Sequence, residues 1–245
     1  MDVEESSIKK STEKVHPWRR CGKGEHLVCE HIVHVPPSKK HLDGNKAICH
    51  EHCAKNPSQK DELSFSEIQY ISTNYFANLK GLPTANVLTN EYPSADNYDV
   101  EIRGWTQYWN DIFKLPDPLD PDFVKALIGT ESSFDLKPKG NSKAFGLMQL
   151  LPETFSILRN INGELKDYLI CLSKDHYLDA SANICSGIRW IFQKKKLAGA
   201  KLKRESTWEE AIIEYKGYWH AIETGIDPEP MRKLRRFYRA LKGKA

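Results

Sequence analysis

Apolar residues recur at three- and four-residue steps through most of the chain after residue 60, which predicts a run of helices. Phe65, Ile68, Ile71 and Tyr75 form the first stripe, with Ser64 as N-cap and Glu67 completing a capping box. A short aromatic helix is predicted over 102–113, where Trp105, Trp109 and Ile112 or Phe113 share a face. The next opens on Asp120 and Pro121, an N-cap and a first-turn proline, and carries Phe123, Val124, Leu127 and Ile128 on one side. Phe155, Ile157 and Leu158 continue a helix towards 162–163. Asp179 opens a longer one with Ile184, Ile188, Ile191 and Phe192 on one stripe. Thr207 caps a run through residue 220 that groups Trp208, Ala211, Ile212 and Tyr215, and the last helix, 229–241, turns Leu234, Phe237 and Leu241 inward. Residues 74–99, with Pro83 and Pro93, read as a long surface connection, and Leu115-Pro116-Asp117-Pro118 breaks the chain before Asp120. The first sixty residues differ. Alternation over 28–35 suggests a strand ended by Pro36-Pro37, and a turn at 42–46 leads to a second strand through Ala47 and Ile48.

The totals change this picture little. At 245 residues the chain holds one good-sized core and a smaller module, and its 40% hydrophobic and 28% charged content is ordinary for a globular protein. A net charge of +3 favours no class of partner. No window approaches the roughly 18 apolar residues of a membrane span. Residues 1–15 are polar, charged and expected to be disordered. Residues 1–14 lack an apolar segment, so a Sec signal peptide is not expected there.

Residues 16–53 hold seven of the nine histidines (His16, His26, His31, His34, His41, His50, His52) and four of the six cysteines (Cys21, Cys29, Cys49, Cys53). Thiolates and imidazoles are the ligands zinc prefers, and a metal would stabilise a segment too short to build its own core. Cys21, Cys29, Cys49 and Cys53 are therefore candidate ligands of a structural zinc. Their spacings are not those of a standard knuckle, so disulfides, or a β-ribbon with merely exposed histidines, stand beside that reading. Cys171 and Cys185 read as buried thiols, with a disulfide between them as the other reading.

The chemistry gathers at 123–154. Glu131 continues the apolar stripe of its helix, so its carboxyl should emerge where the helix leaves the core. Partial removal from water disfavours the ionised form and suits a general acid. A polar connection over 137–143 leads to Ala144-Phe145-Gly146-Leu147-Met148-Gln149-Leu150 and then Pro152-Glu153-Thr154. Gly146 would let backbone approach a ligand, Met148 would supply an apolar wall, and Gln149 an amide that donates and accepts. The bland alternative is a surface Glu at a helix end followed by a buried loop.

Glu131-Ser132-x-Phe134, followed by Gly146-Leu147-Met148-Gln149-Leu150-x-Pro152-x-Thr154, resembles the soluble lytic transglycosylase catalytic domain, which has the goose-type lysozyme fold. Asn183-Ile184-x-x-Gly187 matches the family's third motif, and Tyr215-x-Gly217 falls where the family has Tyr-Asn-Gly, with Lys216 in place of the Asn. The resemblance covers about residues 118–225. It implies a mainly α, lysozyme-like catalytic domain preceded by the small Cys/His-rich β-containing module, with Glu131 catalytic. Ser132, Gly146, Leu147, Met148, Gln149, Asn183 and Tyr215 would bind substrate. The implied activity is cleavage of the MurNAc–GlcNAc β-1,4 bond of peptidoglycan by one carboxyl, with a 1,6-anhydro product, no catalytic cofactor, and glycan strands as the partner. Water-using relatives of the same type, hydrolytic muramidases, give a reducing end instead.

The expected organisation is a disordered N-terminus over 1–15, a Cys/His-rich module over 16–60, a helical connecting region over 61–117 and the catalytic domain over 118–245. Trp105, Tyr108 and Trp109 could stack on sugars, although aromatics at this spacing more often belong to a core. Arg232, Lys233, Arg235, Arg236 and Arg239 read as a solvated face before a patch for an anionic surface, and nucleic acid is not an expected partner. The domain arrangement resembles toxins of specialised bacterial secretion such as type VI effectors, or a phage endolysin or virion-associated muramidase. On that analogy the protein is made in the cytoplasm and acts in the periplasm or cell wall, with a secretion carrier and an immunity or inhibitor protein as partners. A catalytically silent glycan-binding module, hinted at by Lys216, and a zinc-dependent interaction protein led by residues 16–60 are the rivals.

Overall fold

The structure, a computed structural model, describes residues 18–28, 31–35, 45–138 and 143–243. Residues 1–15, His16, Cys29, His41, the Pro36-Pro37 pair and most of the turn expected at 42–46 lie outside them.

The N-terminal part is a two-stranded ribbon. Strand β1 (Glu25–Val28) pairs antiparallel with β4 (His52–Lys55), and β2 (His31–Val35) with β3 (Asn45–Cys49), both in one register. The strand expected over 28–35 is represented by the end of β1 and by β2, with residues 29–30 outside the described residues, and the second expected strand is β3. Cys21 and Cys53 are joined by a disulfide across 32 residues. That bond withdraws two of the four sulfurs from the zinc set, because a metal needs thiolates. Cys49 is a free thiol with His52 Nδ1 3.8 Å away, and among the described residues no three metal-binding side chains gather at one point. The zinc set of Cys21, Cys29, Cys49 and Cys53 is thus corrected, and of the competing readings a disulfide is the one observed. Arg19 fastens this part to the rest: its guanidinium pairs with Glu67 at 2.7 Å and with Asp61, and donates to the Glu25 carbonyl at 2.6 Å.

Helix α1 (Phe65–Tyr75) starts with the expected capping box of Ser64 and Glu67. The three residues before it form β5 (Glu62–Ser64), which pairs in parallel with β6 (Leu169–Cys171). Three-residue strands are too short to show a period, which is why the alternation over the sequence missed them. Helix α2 (Asp99–Phe113) buries Trp105, Tyr108 and Trp109, and the two indole N–H groups donate to Ser181 Oγ (2.8 Å) and the Cys185 carbonyl (3.0 Å). These rings are core, where their polar edges find partners. Cys185 is a buried free thiol, and Cys171 a half-buried one.

Helix α3 (Pro121–Glu131) is capped by the Asp120 side chain with Pro121 in its first turn, as its sequence predicts. Its surroundings differ from prediction. Every residue from Asp122 to Gly129 is buried, so α3 is wrapped on all sides rather than presenting one stripe. Lys125, wholly buried, survives there because its Nζ meets Asp96 at 2.6 Å, Asp99 at 2.8 Å and the Thr84 carbonyl at 3.0 Å. Helices α4 (Pro152–Leu158), α5 (Ala180–Leu202) and α6 (Trp208–Lys216) follow. Gly217, at φ 70°, ends α6 and starts a separate α7 (Trp219–Glu223), so the run expected to be one helix is two. Helix α8 (Glu229–Leu241) packs Met231, Leu234, Phe237 and Leu241 against α3 and the core. Two of its cations meet carboxylates, Arg235 with Glu209 and Asp227 and Arg236 with Glu91, and Lys242 beyond it pairs with Asp120 and Asp122. One apolar cluster runs from Trp18 to Leu241, and no described helix is long and apolar enough to cross a membrane. The chain is mainly α-helical, with a small β ribbon ahead of the helices.

Lys125→Met leaves the buried Asp99 carboxylate, and the partly exposed Asp96 beside it, without their cation. We expect a loss of about 3–5 kcal/mol in urea unfolding, whereas Lys242→Ala, on an exposed pair, costs less than about 1 kcal/mol.

Candidate active site

Glu131 is the last residue of α3, and its place follows from how that helix is tied at its start. Asp120 accepts from Tyr238 Oη (2.9 Å) and Lys242, Asp122 accepts from the Thr84 backbone N–H (2.7 Å), and Lys125 anchors the second turn. With one end fixed on three sides, the other delivers its carboxyl to a defined point. The chain then turns sharply. Ser132 closes the helix, its N–H and hydroxyl both donating to the Ile128 carbonyl, and Ser133 and Phe134 adopt left-handed φ of 53° and 62°. Two successive non-glycine residues in that region cost about 1–2 kcal/mol each. Such backbone persists only where packing overdetermines it, here by the buried Phe134 ring against Tyr92.

The second half of the site is a tight hairpin. Phe145 and Leu150 exchange backbone hydrogen bonds of 2.9 and 3.1 Å, and Gly146 and Gln149 between them take positive φ of 68° and 47°. Asn183, fully buried on α5, holds it. Its Oδ1 accepts from the Met148 N–H at 2.8 Å, and its Nδ2 donates to the carbonyls of Phe145 and Tyr177, both at 3.0 Å. A Cβ on Gly146 would lie 2.4 Å from the Asn183 amide, so only glycine lets the turn come this close. One on Gly187 would lie 2.6 Å from Met148, which rests in the gap that glycine leaves. The tyrosine near the end of α6 completes the assembly, its Oη donating to the Met148 carbonyl at 2.5 Å. Burial, with the Glu131 carboxylate nearby, pushes the Tyr215 phenol well above its usual pKa.

Beside Tyr215, Lys216 places Nζ 2.7 Å from Glu131 Oε1. The two side chains are only 9% and 11% exposed, so the ion pair is largely withdrawn from solvent. Burial drives the Glu131 pKa up, Lys216 pulls it down, and burial wins: the carboxyl holds its proton to higher pH than an ordinary glutamate.

The structure therefore connects Glu131, the 145–150 hairpin, Asn183 and Tyr215. It changes three roles. Leu147 and Met148 are fully buried, so their side chains form the floor under the hairpin, and Met148 is not an apolar wall of a groove. Ser132 spends its hydroxyl on the helix end. Gln149 remains half-buried and donates to the Gly146 carbonyl at 2.8 Å. The residue that sequence reasoning undervalued is Lys216, whose signal was its departure from the Tyr-Asn-Gly pattern. Asp135 and Glu153, the nearest acids in sequence, are both exposed, and Asp135 accepts from the Lys137 N–H. Cavities of about 890 and 370 Å³ lie elsewhere, and neither is lined by Glu131 or the hairpin.

Residues 114–217 match the family described as Transglycosylase SLT domain. No curated protein matches the chain significantly. Among solved structures, the 70 kDa soluble lytic transglycosylase SLT70 from Escherichia coli is similar over 73% of this chain, at 19% identity and a TM-score of 0.35. This chain spans about a third of that protein, 35% of its length.

Gly146→Ala forces a side chain into left-handed backbone and against Asn183. We expect about 2–4 kcal/mol lower stability in denaturant unfolding, from strain and overpacking together, without loss of helical circular dichroism.

Proposed function

With residues 114–217 carrying a transglycosylase SLT domain, we propose that the protein cleaves the MurNAc–GlcNAc β-1,4 bond of peptidoglycan as a lytic transglycosylase. The observation that carries this reading is Glu131: a carboxyl withdrawn from water, raised in pKa, and paired with Lys216 next to the tyrosine that holds the hairpin. A carboxyl that keeps its proton towards neutral pH is what the first step requires. Glu131 donates that proton to the glycosidic oxygen as the bond breaks, while the substrate's own N-acetyl group assists at the anomeric carbon. The resulting carboxylate then accepts the proton of the C6 hydroxyl as that oxygen closes on the anomeric carbon, which gives the 1,6-anhydro product and restores the acid. One carboxyl serves both steps, so no second acid is needed, in contrast to the usual pair of glycosidases. Gln149 and the hairpin backbone position the sugar. Leu147, Met148 and Asn183 support them from beneath.

The disulfide between Cys21 and Cys53 supports action in an oxidising compartment such as the periplasm or cell wall. Delivery there by specialised secretion, with a carrier and a cognate inhibitor protein, belongs to the same proposal.

A second reading rests on Lys216. Its charge beside Glu131 favours the ionised carboxyl, which would suit a silent glycan-binding module. Clearing of purified cell walls separates the two. Mass spectrometry of the muropeptides released then tells the 1,6-anhydro product from the reducing end left by hydrolysis.

Glu131→Gln keeps the shape and removes the titratable proton. We expect glycan cleavage to fall by about 10²–10⁴-fold with the melting temperature preserved, and retention of most of the activity would end the assignment.

A further inference from the structure

Lys216 is the feature that the transglycosylase reading leaves without a role. It stands on the last turn of α6, immediately after the tyrosine that grips the hairpin, and the same anchorage that fixes Tyr215 fixes the start of its side chain. Its Nζ meets Glu131 Oε1 at 2.7 Å with both groups largely withdrawn from solvent, where a unit charge acts with little screening. A neutral amide at this position would offer a hydrogen bond. An ammonium adds a full charge.

We propose that Lys216 is a positioning residue that acts through Glu131, fixing the carboxyl beside the hairpin and shifting the window of cleavage towards acidic pH. This rests on Glu131 being the proton donor. The ionisable groups that bear on the carboxyl are Lys216 and the Tyr215 phenol, both of α6.

Proton donation needs the neutral acid, and the ammonium favours the ionised form. With Lys216 present, the donor loses its proton at lower pH than it would from burial alone, so activity falls off earlier as pH rises. The same ammonium stabilises the carboxylate that forms as the proton leaves, which makes Glu131 a stronger acid and speeds transfer wherever the acid is populated. Removing the charge should thus have opposite effects on the two sides of the profile. The variant is slower at acidic pH, where both enzymes are protonated, and its activity persists further into the alkaline range. A residue that merely supported the fold would lower the rate at every pH and leave the limb in place.

The test uses the full, oxidised chain with Lys216→Met, Lys216→Asn and Lys216→Arg. The kcat/KM for release of soluble muropeptides from purified peptidoglycan is followed across pH, and the Glu131 carboxyl is titrated by carbon NMR, its signal assigned by loss in Glu131→Gln. In Met and Asn variants we expect the alkaline limb and the carboxyl titration to move up together by about one pH unit, a tenfold change in proton affinity, with a several-fold lower acidic plateau. The Arg variant should keep the wild-type limb. A Glu131 carboxyl that titrates at the wild-type pH in folded Met or Asn protein overturns the proposal. Should Glu131→Gln cleave normally, the catalytic reading fails instead, and the NMR arm still reports whether the ammonium controls the carboxyl.

Discussion

The site depends on one buried side-chain amide. Asn183 lies in the middle of the core with no exposed surface, and each of its polar atoms is engaged by backbone from somewhere else in the chain. A buried amide left unpaired costs about 1–3 kcal/mol per orphaned group, so the amide and the hairpin have to be formed together. The hydrogen bonds go to the N–H of Met148 and the carbonyls of Phe145 and Tyr177, which fixes the hairpin relative to α5 to within a hydrogen-bond length. The Met148 carbonyl then accepts from Tyr215, which brings in α6, and the next residue along α6 is Lys216 against Glu131. Chemistry at the end of α3 is thus coupled, through three short contacts, to a residue whose side chain touches no solvent.

The second requirement is that α3 itself cannot slide. A helix buried on every side would be held in place by shape alone only loosely along its axis. Polar ties at Asp120, Asp122 and Lys125 fix its register. Placing a lysine among buried aspartates is expensive unless geometry is good, and such pairs contribute more to uniqueness than to stability. Here the gain is that the carboxyl six residues further on has one position.

Much of this was legible in the chain. The caps at Ser64, Asp120, Asp179 and Thr207 all hold helices in the structure, because a cap is a local signal written in three or four residues. The Glu131 region and the Gly146–Gln149 turn were legible for the same reason: few sequences place glycine, an apolar pair and an amide in that order without purpose. What was lost was long-range. The burial of Lys125 depends on Asp96 and Asp99 arriving from another segment, and nothing around Lys125 in sequence announces them. The inward turn of Met148 is decided by Gly187 on α5, 39 positions away, so a methionine beside a glutamine read as a groove wall. The parallel pairing of β5 with β6 joins segments more than a hundred residues apart. The Cys/His density of the ribbon illustrates the reverse error, in which a composition consistent with zinc says nothing of which sulfurs meet.

Size is a poor guide to the chemistry of this molecule. A cavity of about 890 Å³ lies between α2, the start of α3, α6 and α8, and Arg103, Asp120, Glu209 and Arg235 are among its lining residues. Those charges are committed: Arg235 to Glu209 and Asp227, Asp120 to Tyr238 and Lys242, and Arg103 to Gln107 and the Lys80 carbonyl. Groups already satisfied by one another have little to offer a reaction. Glu131 is the opposite case. Its partner is a single cation at one oxygen, its surroundings are dry, and the balance between them decides the state of one proton. A reaction that begins by giving up a proton is therefore better served by that small, tense corner at the end of α3 than by a cavity whose charges are already paired.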